Sequence, residues 1–321
     1  MPDINLNPFI AKLDAFQQRH KWLAVGYAVI KKYGDDNGGY QAALLTYYGF
    51  LSLFPLLLVI VTILQIWFSN NAPVRDDVLA SIGHFFPLLT SQLQANIHSM
   101  HKTGLGLLIG LVITIYGARG VADALRHALD NMWQVPRNKR AGFPKNILHS
   151  MSIIAAGAVS FVAVVAVSAF SSSLGHALWT KILLNVLGFL LLTAVFGFIF
   201  RIATFGRVPL RWMYSGASVA GFVTQLLLTF GGIIVKHQLQ HLNSVYGTFA
   251  VVLGLLFWIY LLAQVIVYAA EVDTVRHLKL WPRSMTSTME TAADRIAYRR
   301  YAKIEERVSN ERISVDFRKA K

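Results

Sequence analysis

Cysteine is absent from the 321 residues, so thiol catalysis, iron–sulfur clusters, Cys-ligated zinc and disulfides are excluded. Charge is sparse as well. Asp, Glu, Lys and Arg make up 14% of the chain, against about 25% in ordinary soluble proteins. Acids are the scarcer sign, 16 Asp and Glu against 30 Lys and Arg, for a net charge of +14. No Gly-rich phosphate loop, internal repeat or low-complexity tract is present, which leaves nucleotide-driven pumping without a motif. The first 20 residues contain no apolar run, so no cleavable secretory leader is expected. What abounds is apolar: 55% of residues are hydrophobic and the mean hydropathy is +0.49, more than one water-facing core can use.

Lipid offers the backbone no hydrogen-bond partner, and a bilayer core of roughly 30 Å takes about 20 apolar residues as helix. Six stretches meet that requirement, at about 41–67, 103–122, 147–171, 182–200, 212–234 and 247–271. The pattern therefore predicts an all-α polytopic membrane protein, a bundle of six transmembrane helices. Residues 1–40 form an N-terminal segment, 41–271 the membrane domain and 272–321 a basic tail. Alternate connections carry 26 basic residues on one side of this arrangement and 4 on the other. The positive-inside rule then places both termini in the cytoplasm. It also accounts for the net charge without nucleic acid, so no nucleic-acid partner is expected.

Before the first span, KWLAVGYAVIKKY reads as an amphipathic helix. Trp22, Val25, Gly26, Val29 and Tyr33 share one face, with Lys31 and Lys32 beside it, and the helix either lies in the membrane interface or packs under the bundle. The tail beyond residue 282 is polar and mixed in charge, either a surface helix or disordered. Its surplus of basic residues makes anionic lipid its expected partner.

Several residues depart from a plain anchor. Pro55 has no N–H and crowds the carbonyl of Leu51, so the first span should kink or open near mid-bilayer, with Tyr47, Tyr48 and Ser52 one or two turns before it. Broken helices at that depth serve solute paths in many transporters, though they also occur in passive bundles. Arg119 and Asp123 are four apart on one helix, as are Arg126 and Asp130. An unpaired charge in the inner leaflet is costly, so Arg119 should face the bundle with Asp123 and Glu271 as partners. That predicts a cluster of Arg119, Asp123, Arg126 and Glu271, joined by Asp273, acting either in transport or as a clamp between helices. Gln225 and Gln264 either line a path or bond across helices. Gly216, Ala217, Ser218, Ala220, Gly221, Gly231 and Gly232 are small enough to let helices touch. Asn243, Ser244, Tyr246 and Gly247 form an outer mouth or an ordinary helix start. The pairs His98/His101 and His237/His241 have helical spacing, with His84, His176, Asp76 and Asp77 the only further ligands at hand. A zinc site needs a third and usually a fourth ligand, so neither metal nor cofactor is expected.

Three segments, YYGFLSLFPLLL, YGARGVADALRHALDNMW and YGTFAVVLGLLFWIYLLAQVIVYAAEVD, resemble in order and spacing the YihY/virulence factor BrkB family of bacterial inner-membrane proteins. That family once carried the label ribonuclease BN-like. The resemblance runs from about residue 30 to 275. Matching positions include Tyr48, Pro55, Arg119, Ala128, Leu129, Trp133, Tyr246, Gly247, Trp258, Tyr260 and Glu271. Ala269-Ala270 replaces a common Gly-Ala, and Asp130 stands where Asn is common. The resemblance implies six spans, the bacterial plasma membrane and a cell-envelope role without an established reaction. A transporter or flippase-like protein for a small solute, ion or lipid fits the charges in the spans. A non-transporting envelope scaffold that binds lipid or a partner protein is the alternative. An enzyme, and a ribonuclease in particular, is not expected, because the cytoplasmic acids near the membrane are few.

Overall fold

The computed structural model describes residues 8–67, 104–172, 178–205, 208–246, 249–286 and 291–317. Every regular element among these residues is helical. Two short helices come first, α1 (Pro8–Arg19) and α2 (Lys21–Asp35). Six long ones follow: α3 (Gly38–Trp67), α4 (Gly104–Met132), α5 (Lys145–Ser172), α6 (Leu178–Ala203), α7 (Tyr214–Tyr246) and α8 (Phe249–His277). The amphipathic helix α9 (Ala292–Ile304) closes the chain. Each long helix overlaps one of the six apolar stretches. Lys145–Val164, Ile182–Ala203 and Phe249–His277 are long and apolar enough to cross a membrane.

The long helices pack in a ring, α3 on α4, then α5, α6, α7 and α8, with α8 returning to α3. Successive helices run in opposite directions. The C-terminal ends of α4, α6 and α8 gather at one end with the N-terminal ends of α5 and α7, as bonds such as Ser150 to Asp123 and Ser215 to Asp273 show. The core at that end is built from Ala122, Leu125, Leu129, Met132, Phe200, Met213, Val267 and Ala270. Outward faces stay apolar, with Val112, Tyr116, Val159, Leu183 and Phe222 exposed, as a bilayer-facing surface requires.

Small residues set the closest contacts. A Cβ on Gly117 would lie 2.7 Å from Ser52 Cβ, and one on Gly120 would overlap the Tyr48 ring. Tyr48 and Ser52 are thus seated against α4 and close the α3–α4 seam. Gly216 likewise admits Ala269 and Asp273 of α8, and Gly221 admits Thr193. Pro55 does not open its helix: α3 is helical without interruption from Gly38 to Trp67. One missing N–H removes one bond of the ladder, and the packed α4 and α8 keep the remainder aligned.

The terminal segments are interlocked. α2 packs on α8, burying Ala24, Ala28, Val29 and Lys32, while Trp22 is 92% exposed. Helix packing under the bundle is therefore observed for part of the anticipated face, and Trp22 is left outside it. The tail is an ordered, docked element. Arg283, fully buried, donates to Asp294 at 2.5 Å and Asp35 at 2.9 Å. Lys31 reaches Asp294 and the Ser284 carbonyl, Gln17 donates to the Arg283 carbonyl, and Ser284 donates to Asp14. Thr291 and Asp294 form a capping box at the start of α9. Burial alone would raise the Asp294 carboxyl. The N–H groups of Ser284 and Thr291 with the Arg283 guanidinium prevail and hold it below the usual carboxylate range.

Candidate functional site

Glu271 lies in the last two turns of α8, and its side chain has no exposed surface. Its partner is Lys32 of α2, at 2.8 Å from Oε2. The Lys32 ammonium also meets the Asp36 carboxylate and the Met132 carbonyl, the latter at 2.9 Å. Three N–H groups thus serve three acceptors, from the residue that caps α2, from α4 and from α8, and the ammonium is fully used. Burial alone would lower the Lys32 pKa, but the two carboxylates keep it above its ordinary value, so the lysine stays charged. Glu271 Oε2 also accepts from Thr274, whereas Oε1 is buried with no hydrogen-bond partner. Two carboxylates therefore face one ammonium in a site closed to water.

This corrects the anticipated Arg119–Glu271 pair. Arg119 meets Asp123 one turn along at 3.7 Å and is 45% exposed. Lys32, carried to α8 by the docked α2, occupies the place at Glu271 that a guanidinium would need. The Arg126–Asp130 pairing is replaced too. Arg126 is buried and turns to Asp123 at 3.3 Å, and Ser150 of α5 donates to the same carboxylate at 2.5 Å. Asp130 instead accepts the Phe205 N–H at 2.8 Å, bracing the end of α6, and burial pushes its carboxyl up to about 6. Asp273 accepts from Ser215 Oγ and from the Gly216 N–H at the start of α7. The expected cluster is thus three separate knots at one end of the ring.

Gln225 bonds across helices to Asn185 at 3.1 Å. Gln264 lines a crevice of about 320 Å³ between α7 and α8. His237 and His241 lie on α7 with their side chains outside the described residues, as do those of Pro55, Asn243, Ser244 and Tyr246. His84, His98, His101, His176, Asp76, Asp77 and Gly247 lie outside the described residues altogether. Among the described residues no three His, Asp or Glu are grouped to hold a metal. Lys32 and Asp36 are the site residues that sequence reasoning passed over. Their i, i+4 spacing, at the edge of an apolar helix face, was the available signal.

The sequence pattern described as Virulence factor BrkB matches residues 29–292, from Val29 in α2 to the first turn of α9. The chain belongs to that family. A UPF0761 membrane protein from Psychrobacter sp. (strain PRwf-1) is 26% identical over 275 residues, which are 79% of this chain and 48% of that protein. Putative ribonuclease-like protein YfkH of Bacillus subtilis (strain 168) is 24% identical over 78% of this chain and 94% of its own length. A UPF0761 membrane protein from Vibrio vulnificus (strain YJ016) is 24% identical over 81% and 85% respectively. The chain spans about half the length of the Psychrobacter relative. No solved structure matches it. The BrkB match begins inside α2 and takes in Lys32, Asp36 and Glu271, so all three cluster residues fall within the family region.

Proposed function

We propose that this BrkB-family chain is a transporter or flippase-like protein of the bacterial inner membrane. It has six spans, both termini in the cytoplasm, and moves a solute, ion or lipid for the cell envelope. The observation that carries this reading is the buried Lys32–Asp36–Glu271 cluster with its unpartnered Glu271 oxygen. Buried charges at the end of a membrane helix are expensive, and they are found where an ion or proton pathway needs them. Here the cluster also joins three elements. Withdrawal of α2 from α8 would strip Glu271 of its counter-charge, so gain or loss of a cation at Glu271 would bias the position of α2.

The reading is non-enzymatic. The acids near the membrane are each engaged in a structural contact: Asp35 with Arg283, Asp36 and Glu271 with Lys32, Asp123 with Arg126, Asp130 with Phe205 and Asp273 with Ser215. Asp36 and Glu271 both pair with the Lys32 ammonium, which commits these two carboxylates to an ion-pair contact. The interlocked α1, α2 and tail favour a second reading, an envelope scaffold whose platform binds lipid or a partner protein.

Proteoliposomes with an internal pH dye and an imposed potassium diffusion potential test the coupling role, with protons as the probe. Faster proton influx than in empty vesicles is expected, abolished by Glu271→Gln. Equal rates for wild type and Glu271→Gln would overturn coupling at this cluster. Under the scaffold reading, Lys32, Asp36 and Glu271 are jointly replaceable by Met, Asn and Gln with envelope function retained, as buried ion pairs often are.

A further inference from the structure

The crevice between α7 and α8 has a composition that packing alone does not explain. Val219, Val223 and Leu227 recur at every fourth residue along α7 and form one wall. Leu261, Gln264 and Tyr268 form the other on α8, with about 320 Å³ between them. The wall is apolar except for the Tyr268 hydroxyl and the Gln264 amide, and Gln264 has no hydrogen-bond partner among the described residues. Such an amide in a hydrocarbon setting is costly unless something supplies a polar atom to it. One wall belongs to α8, which is long and apolar enough to cross a membrane, and on the α7 side the neighbouring Phe222 and Leu226 are exposed, so apolar surface adjoins the crevice.

Toward the charged end of the ring, the turn that precedes α7 carries Arg211 and the last turn of α8 carries Arg276, each about 12 Å along the chain axis from the crevice residues Val219 and Tyr268. Trp212 stacks on His277 with ring centroids 5.4 Å apart, which joins the segment carrying Arg211 to the segment carrying Arg276. Both arginines are exposed. Asp273, three residues before Arg276 on α8, is buried and already accepts from Ser215 and Gly216. A largely apolar slot thus lies along the same pair of helices as an aromatic stack with an exposed arginine next to each of its rings in sequence.

We propose that this crevice binds one anionic glycerophospholipid, an acyl chain lying between α7 and α8 with its phosphate against Arg211 and Arg276. The carbonyl or glycerol oxygens of such a lipid, or a water drawn in with it, meet the Gln264 amide as the molecule shifts along the slot. Occupancy does not depend on the coupling role of Glu271. A lipid can sit here whether or not the protein moves anything, and the two ideas fail separately.

The test uses the full chain in vesicles of phosphatidylcholine and phosphatidylglycerol, with a trace of phospholipid bearing a photoreactive group on its acyl chain. After irradiation, the labelled residues are located by mass spectrometry. Label concentrated in 219–227 and 261–268, and competed away by unlabelled phosphatidylglycerol, is the expected result. Arg211→Gln and Arg276→Gln should each cut the preference for phosphatidylglycerol over phosphatidylcholine about fivefold. Val223→Trp should fill the slot and remove the label, and Gln264→Leu should leave the protein folded while weakening competition. Label spread evenly over all bilayer-facing helices would overturn the proposal. So would an unchanged preference in both arginine variants. Dissociation of a dimer by Val223→Trp would also overturn it, by assigning the slot to a second copy.

Discussion

Replacing Lys32 with Met tests the central knot directly. The substitution preserves bulk but removes the ammonium that faces Asp36 and Glu271, whose side chains are 4% and 0% exposed. Breaking a buried ion pair by deleting one partner costs about 3–5 kcal/mol, because the remaining charge is stranded. The Met132 carbonyl loses its donor as well. At roughly 2 °C per kcal/mol for a chain of this size, the unfolding midpoint of the purified protein should fall by about 6–10 °C. The decisive measurement is a double-mutant cycle. Lys32→Met and Glu271→Gln should be strongly non-additive, whereas Arg119→Met and Glu271→Gln should be additive within about 0.5 kcal/mol. The opposite pattern would refute the assignment of Lys32 as the partner of Glu271.

The Arg119–Asp123 pair is partly exposed, so Arg119→Met should change stability by less than about 1 kcal/mol in the same assay. Tail docking should fail in acid. The Asp294 carboxyl is lower when folded than unfolded, so its contribution is complete above about pH 4 and is lost as pH falls below that. Limited proteolysis across residue 287 should therefore accelerate below pH 4, and Arg283→Ala should show the same cleavage at neutral pH. Asp130 has the reverse sign. Its carboxyl, pushed up to about 6, is harder to ionise folded than unfolded, so Asp130→Asn should add about 3 kcal/mol at pH 8 and little at pH 4. Equal effects at both pH values would exclude that account. For topology, single cysteines at 75 and 240 should react with an impermeant thiol reagent from outside and one at 300 should not, in this cysteine-free background.

Hydropathy was enough to mark the chain as all-helical and to locate the three helices long and apolar enough to cross a membrane, because the need to satisfy the backbone in lipid is local and writes itself as runs of about 20 apolar residues. The helical spacing of Arg119 and Asp123 likewise foretold their pair, since i and i+4 are neighbours on any helix. Gly117 and Gly120 do not announce their role in close packing, because which side chain fills a small-residue notch is decided by the facing helix. The partner of Glu271 was beyond local reasoning for the same reason. Arg119, Arg126 and Lys32 are all basic residues near one end of the bundle, and nothing in their spacing ranks them. Docking of α2 on α8 ranks them, by delivering Lys32 within 2.8 Å of the carboxylate while leaving Arg119 on the α4 surface. The docked tail is illegible on similar grounds. Its composition is that of a solvated segment, yet Arg283 is buried because Asp35 and Asp294, the first of them far away in sequence, converge on it. Periodicity along the chain determined which segments are helices. Contacts between residues a hundred or more positions apart decided which charges meet, since a buried charge takes whichever counter-charge the packing brings to it.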